Sequence, residues 1–272
     1  MPRVVAKLRE IGRWMKANAK GGASLKTDDL HSSGANCSDS YNNQNPMAVA
    51  VATCSRFFSR NDDAGDGDAL QEMLDSGAPS AIVGNIGRPW VINATLWLRS
   101  NQTIYLAPGV EIQARRGAYH CNQSLVPAAP PKACRVPHHC KCHGNLTMLT
   151  AYRVESVQII AYGARLAMWQ SDYANESLYY HSQFRAGVML SGVKDVSISG
   201  LTILSTGGDG ITVMGASGAA SSQRVFIKDV SVKKAYRNGL SIVSAEDLTV
   251  EDSLFEDTCV EHANYGGPCA GV

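Results

Sequence analysis

Nothing in this chain runs apolar for the about 18 residues that a membrane-crossing helix requires, and its charges nearly cancel, with 25 lysines and arginines against 24 aspartates and glutamates. The first absence leaves no transmembrane segment to expect, and the second leaves no basic surface that would point to nucleic acid. No helical pattern is long enough to carry the chain across a flat parallel sheet. The Leu-x-x-Leu-x-Leu and asparagine ladder of a leucine-rich repeat is missing, as is any paired C-x-x-C knuckle of a structural zinc site. Met1 to Lys20 lacks the apolar centre of a signal peptide, being broken by Arg3, Lys7, Arg9, Arg13, Lys16 and Lys20.

What the chain does contain is a repeat. Gly187-Val188-Met189-Leu190, Gly210-Ile211-Thr212-Val213, Gly239-Leu240-Ser241-Ile242 and Gly271-Val272 each open with glycine and then alternate apolar residues. Between them lie Val196-Ser197-Ile198, Val225-Phe226-Ile227 and Leu248-Thr249-Val250, again apolar at period two, the pattern of strands with one buried face. The interval from glycine to second strand is 9 residues, and from second strand to next glycine 14, giving a turn of 23 residues. Ala216 to Ser222 lengthens one turn, and Asp257 to Pro268 another. Short strands at this period describe a coil, and the fold expected is all-β, a right-handed parallel β-helix.

The chain length of 272 residues is enough for one continuous core. Eight cysteines, and Asn-x-Ser/Thr sequons at Asn36, Asn93, Asn101, Asn122, Asn145 and Asn175, lead one to expect a secretory route and a secreted, glycosylated chain; a monomer is expected as well. Residues 1–64 read as a poorly structured extension. Val4, Leu8, Ile11 and Met15 lie at helical spacing, so its start is either a basic amphipathic helix or a cap, while residues 21–65 have the composition of a linker. From Gly65 onward, Asp66 to Leu74 reads as a short helix capped by a carboxylate, with Leu70, Met73 and Leu74 on one face. Such a helix would cover the open end of a solenoid, whose first strands otherwise leave edges unpaired. Residues 65–272 form the β-helix domain.

This helix, followed by Arg88-Pro89-Trp90-Val91-Ile92 and by Leu98 to Val110, resembles the opening turns of pectate-lyase-like right-handed β-helix proteins. Ser205 to Ile211 and Tyr236 to Ser241 resemble inner turns of the same group. The resemblance implies a polysaccharide-acting protein without fixing its chemistry, since the superfamily includes lyases, hydrolases, epimerases and non-enzymatic members. In such relatives the strand at Ala270-Gly271-Val272 runs on into an acidic segment and further turns, so this chain reads as truncated. Gln183 stands where the resemblance leads one to expect a glutamate.

Equivalent positions of successive turns stack about 4.8 Å apart. With the +1 and +3 residues inward and the glycine and +2 residue outward, Met189, Thr212 and Ser241 share one exposed row, and Ala186, Asp209 and Asn238 another. Arg185, Gly208 and Arg237 form the next row, which places Asp209 between Arg185 and Arg237. Together with His181, Tyr236 and Tyr180 this is the candidate groove. Asp209 serves there as acid, base or sugar ligand, or else as the middle of a structural ion-pair ladder. The candidate catalytic set is Asp209, Arg237, Arg185, His181 and Tyr236. Trp169, Tyr173, Tyr180, Thr212, Asn238 and Ser241 are the candidate substrate contacts, the aromatics as a wall on which sugar rings stack or as a loop folded on the flank.

Glycoside hydrolysis asks for two carboxyl groups flanking the bond; Glu256 and Glu261 are possible second members, though their place reads as a solvated loop. β-Elimination from a uronate asks for a base and a cation beside the enolate-like intermediate, a demand that arginine, histidine and tyrosine meet. No cofactor is expected: the calcium of many pectate lyases needs a carboxylate cluster, and none lies in neighbouring turns, Asp62, Asp63, Asp66 and Asp68 falling ahead of the solenoid. Residues 117–147 insert a proline-rich loop carrying Cys121, Cys134, Cys140 and Cys142 with His138, His139 and His143, read as two disulfides or, alternatively, a zinc site. Cys259 and Cys269 bracket the last insertion as a third candidate bridge. The expected function is a lyase or hydrolase acting on a polysaccharide; the opposing reading is a non-catalytic glycan-binding solenoid or an inactive fragment.

Overall fold

The computed structural model describes residues 49–52, 65–120, 146–175, 177–179, 182–216, 221–259 and 270–272. Their strands fall into three parallel sheets that the chain visits in rotation. Sheet A holds β1 (Val49–Ala52), β2 (Ser80–Val83), β5 (Gln102–Leu106), β8 (Glu155–Ile160), β11 (Lys194–Ser199), β14 (Ser222–Lys228) and β17 (Ala245–Glu251). Sheet B holds β3 (Trp90–Ile92), β6 (Glu111–Ala114), β9 (Arg165–Ala167), β12 (Thr202–Leu204), β15 (Ser231–Lys233) and β18 (Leu254–Glu256). Sheet C holds β4 (Leu96–Trp97), β7 (Leu149–Tyr152), β10 (Val188–Ser191), β13 (Ile211–Met214) and β16 (Leu240–Ile242). This is a parallel β-helix, and right-twisted strands close such a coil in the right-handed sense.

The 23-residue period holds in the register. Val188 pairs with Ile211, and Val225 with Leu248. Stacked Val196, Val225 and Ile198, Ile227 fill sheet A's inner face, while Val188, Leu190, Ile211 and Val213 fill that of sheet C. Each such fully buried side chain is worth about 1.5–3 kcal/mol. Ile242 departs from the expected inward +3 position and is exposed, as are Val243 and Leu254 in the same last turn. The later strands of sheet B, by contrast, give little periodic signal: β12, β15 and β18 are three residues long, and Ile203 and Val232 are the fully buried central residues of the first two. One inward residue per strand makes no alternation to read.

The insertion at 117–147 leaves the coil intact, because β7 resumes in register beside β4, with Leu96 opposite Leu149. At the other end of the expected linker, Val49–Ala52 pairs residue for residue with Ser80–Val83, so this stretch extends sheet A. The basic stretch Met1 to Lys20 lies outside the described residues.

The repeating glycines do not face outward as the alternation implied. A Cβ on Gly187 would stand 2.6 Å from Ile203 Cγ2 and 2.8 Å from the Gly210 carbonyl oxygen; one on Gly239 would stand 2.6 Å from the Gly271 carbonyl oxygen and 2.7 Å from Phe255 Cβ. They sit at a corner where the backbone packs directly on a sheet B side chain, and close approach rather than an unusual φ demands glycine there.

The first helix, α1 (Asp66–Asp75), buries Leu70, Met73 and Leu74 over the first turn. Its polar side chains stand in for a missing strand. Gln71 accepts from Trp97 N at 2.8 Å and donates to Trp97 O at 3.1 Å, satisfying the outer edge of β4. Asp66, expected to cap the helix, instead accepts from Val91 N at 2.9 Å and from Arg88 at 2.6 and 3.0 Å, satisfying the edge of β3; Gly65 occupies the N-cap position without a side-chain bond. No helix among the described residues is long and apolar enough to cross a membrane.

Candidate functional site

Three corners join the sheets, and the described candidate residues cluster on or beside one of them. The connections from sheet B to sheet C carry Trp169, Tyr173, Arg185, Asp209, Tyr236, Arg237 and Asn238, while Thr212 and Ser241 follow at once in β13 and β16. Tyr180 and His181 belong to the same connection but lie outside the described residues, as do Glu261 and every candidate cysteine except Cys259.

Asp209 is the hub. It is 6 % exposed, and both its oxygens accept: Oδ2 from Thr212 Oγ1 at 3.0 Å, Oδ1 from the backbone N–H of Asn238 at 3.3 Å, with Arg237 Nε 3.6 Å away. The expected stacking is carried by the backbone, where Gly187 N donates to Asp209 O and Gly210 N to Asn238 O. One turn on, Asn238 repeats the i to i+3 contact, donating through Nδ2 to Ser241 Oγ at 2.9 Å and accepting from Ala270 N at 3.0 Å. The predicted rows therefore join into a ladder of Asp209–Thr212 and Asn238–Ser241, with Arg237 bound to it. The Arg237 side chain is 20 % exposed, and its guanidinium lies 5.4 Å from the Phe184 ring centre.

Arg185 does not join this ladder as a groove residue. It is fully buried; Nε donates to the Tyr119 carbonyl at 2.8 Å and Nη1 to the Ser182 carbonyl at 2.9 Å, and the rings of Tyr173 and Tyr179 lie 4.9 and 5.5 Å from the guanidinium carbon. Burial pushes its pKa down to about 10, a shift that Tyr173, Tyr179 and Tyr236 oppose. The physical reason for the inward turn lies in Gly207, opposite Arg185 across an antiparallel bridge. A Cβ there would stand 2.5 Å from the Tyr173 ring and 2.9 Å from Arg185 Cβ, so the missing side chain is what admits both. The pair Gly207-Gly208 was the available signal in the sequence.

Tyr173 is corrected for the same reason. At 2 % exposure it is a wall of the arginine cage and not a surface for sugar rings; its hydroxyl is buried without a hydrogen-bond partner, and burial pushes its pKa well up. Tyr236 is also buried, and its backbone N–H donates to the Thr206 carbonyl. Trp169 remains half-buried at the N-terminus of the short helix α2 (Gln170–Ala174), its indole N–H donating to the Ala114 carbonyl at 2.6 Å. Glu256, read as a loop charge, lies in β18 and is ion-paired with Lys233. Cys259 is disulfide-bonded, and its Sγ lies 3.4 Å from the Arg237 carbonyl.

No family model matches this chain, and no curated protein does. Among solved structures it is similar to a 1,3-α-1,4-β-D-galactose-4-sulfate-3,6-anhydro-D-galactose-2-sulfate 4 galactohydrolase at 15 % identity and TM-score 0.49, covering 85 % of this chain and 48 % of that one. It is also similar to an iota-carrageenase from A. fortis at 15 % identity and TM-score 0.48, covering 91 % and 49 %. A polygalacturonase from Erwinia carotovora follows at 12 % identity and TM-score 0.40, covering 72 % and 61 %. The chain spans about half the length of the first two. At these identities and scores the likenesses decide nothing about activity.

Proposed function

We propose that this chain acts on a polysaccharide laid along sheet C and its sheet B corner, with Asp209 and Arg237 beneath the glycan, and that it does so outside the cell. The observation that carries the reading is the polar ladder Asp209–Thr212, Asn238–Ser241 and Arg237 on two adjacent turns: hydroxyls stacked about 4.8 Å apart at Thr212 and Ser241, beside one amide and one guanidinium, fit a polymer of hydroxylated rings. The pattern of sequons and cysteines supports the secretory route.

For cleavage, the partly exposed Arg237 guanidinium is the group suited to meet charge developing on a uronate, as elimination requires. Asp209 would hold that guanidinium in place, or act as one of the two carboxyls of a hydrolase. A second reading, a glycan-binding solenoid without catalysis, is favoured by the filled oxygens of Asp209 and by the burial of Arg185, which removes one cation from the groove. The test is a panel of uronate-containing and neutral polysaccharides incubated with the secreted chain, following new reducing ends and the ultraviolet absorbance of unsaturated products. Both signals together identify a lyase, reducing ends alone a hydrolase, and Asp209→Asn and Arg237→Ala should each lower the rate at least about 100-fold. Retained binding with neither signal supports the binding solenoid. A folded chain that neither cleaves nor binds any member sinks the proposal.

A further inference from the structure

The sheet B corner carries a second cationic feature, three turns from Arg237. Arg116 follows β6, and its guanidinium carbon lies 4.1 Å from the centre of the Trp169 ring, with Nε 3.1 Å from Asp172 Oδ2. The indole cannot swing freely, since its N–H is bound to the Ala114 carbonyl. Arg116 is nevertheless 66 % exposed, so the arrangement fixes a planar cation flat on an aromatic face while leaving it open to solvent. Strands β6, β9, β12 and β15 are successive neighbours in sheet B, which separates the corner of Arg116 from that of Arg237 by three strand spacings, about 14 Å.

We propose that Arg116, stacked on Trp169, is a binding subsite for the acidic group of an anionic polysaccharide, a carboxylate or a sulfate, whose neighbouring segment lies at Arg237. The inference rests on the polysaccharide reading above and adds the charge of the ligand to it. An arginine in this posture presents its outer edge and face to the ligand. A guanidinium already held by stacking loses less side-chain freedom on binding than a free one, so more of each charge-assisted contact appears as affinity. Asp172 sets the direction of the side chain through Nε, and the terminal nitrogens are the part suited to grip a two-oxygen acid edge. Tryptophan alone would favour stacking of any sugar ring; with its face occupied by Arg116, this spot selects charge instead. Two cations on corners three strand spacings apart along the axis match a linear polymer with repeating acidic units better than a single small sugar.

The experiment measures binding of the full chain to polygalacturonate, to a sulfated galactan and to a neutral galactan, at low and moderate salt, for the parent, Arg116→Ala, Arg116→Lys and Arg237→Ala. The parent is expected to bind at least one anionic polymer, more weakly as salt rises. Arg116→Ala should lose about tenfold on that polymer and nothing on the neutral one. Arg116→Lys keeps the charge but not the flat stacking, and should fall between the two. Arg116→Ala combined with Arg237→Ala should show multiplied losses, the sites being far enough apart to act independently. The two anionic probes separate carboxylate from sulfate as the recognised group. Equal binding of the parent and Arg116→Ala, with unchanged melting, overturns this inference and leaves the polysaccharide reading standing. Binding confined to the neutral galactan does the same. Absence of binding to all three overturns both.

Discussion

Among the described strands, six connections turn the corner from sheet A to sheet B and five turn the corner from sheet B to sheet C, and the two corners are spent differently. At the first, each connection bends through one left-handed residue in the same place: Gly87, Gly109, Gly163, Gly200, Asp229 and Asp252, with φ between 49° and 80°. Its last three connections hold only two residues between strands. At the second, the connections range from three residues after β3 to the long segments after β6 and β9, and they carry Arg116, Trp169, Arg185, Asp209 and Arg237. A coil needs only one well-determined bend per turn to keep its register. With that bend fixed at the A-to-B corner, the other corner can vary in length and hold chemistry, as β7 shows by returning to register beside β4 after the longest insertion.

The largest effect should come from breaking the regular corner. Gly200 has φ +73°, and a Cβ there would stand 2.5 Å from two Tyr162 ring carbons and 2.9 Å from Tyr162 Cα. Gly200→Ala combines a left-handed penalty with overpacking against backbone and should cost about 3 kcal/mol. Gly87 occupies the equivalent place with nothing within 4 Å of a Cβ, so Gly87→Ala should cost only the backbone part, about 1 kcal/mol. Chemical denaturation of the two variants separates the terms. Equal losses would mean that conformation alone sets the corner.

These corners also mark where the sequence was legible. Alternating strands of four to seven residues in sheets A and C announced themselves through Val188, Leu190, Val196, Ile198, Val225 and Ile227, and fixed both period and fold. The row containing Asp209 and Asn238 followed from that period alone. What the period could not show was the direction of a side chain inside an irregular connection: Arg185 has the register of a groove residue, yet the space left by Gly207 draws it into a cage of tyrosines. Arg116 was equally hidden, because its partners Trp169 and Asp172 arrive from the next turn.

The cage predicts the next effect. Arg185→Met would fill the space with apolar atoms but leave the Tyr119 and Ser182 carbonyls without their donor, costing about 2 kcal/mol. The surrounding tyrosines make the same region sensitive to alkali. Burial raises the pKa of Tyr119 and of Tyr173 well above the usual tyrosine range. Once the pH passes that range, about 10, the unfolded chain releases these protons and the folded chain keeps them, so their effect is absent below it and stability falls as pH rises further. Arg185, lowered to about 10, works in the opposite sense, since there the unfolded chain holds the extra proton. With two tyrosines against one arginine, the melting temperature should fall from about pH 9 to about pH 11, a window of about one unit either side of the usual tyrosine value. Tyrosinate absorbance should appear for these two residues only on unfolding. Their ionisation in a still-folded chain would contradict the closed cage, and with it the assignment of Tyr173 to structure.

The smallest effect tests why aspartate replaces glycine late in the regular corner. Asp252 has φ +49°, and its carboxylate lies 3.2 Å from Lys228 Nζ, so either the bend or the ion pair could account for it. Its side chain is largely exposed, and an exposed pair of this kind contributes little. Asp252→Gly and Asp252→Ala both remove the carboxylate, but only alanine keeps a Cβ in the left-handed region. If the bend governs, Asp252→Gly should match the parent within about 0.5 kcal/mol, because relief of backbone strain offsets the added freedom of the unfolded chain. Asp252→Ala should then fall about 1 kcal/mol below it. Equal destabilisation by both would assign Asp252 to Lys228 instead. The A-to-B corner would then hold side-chain chemistry of its own, and the division of labour between the two corners would be one of degree.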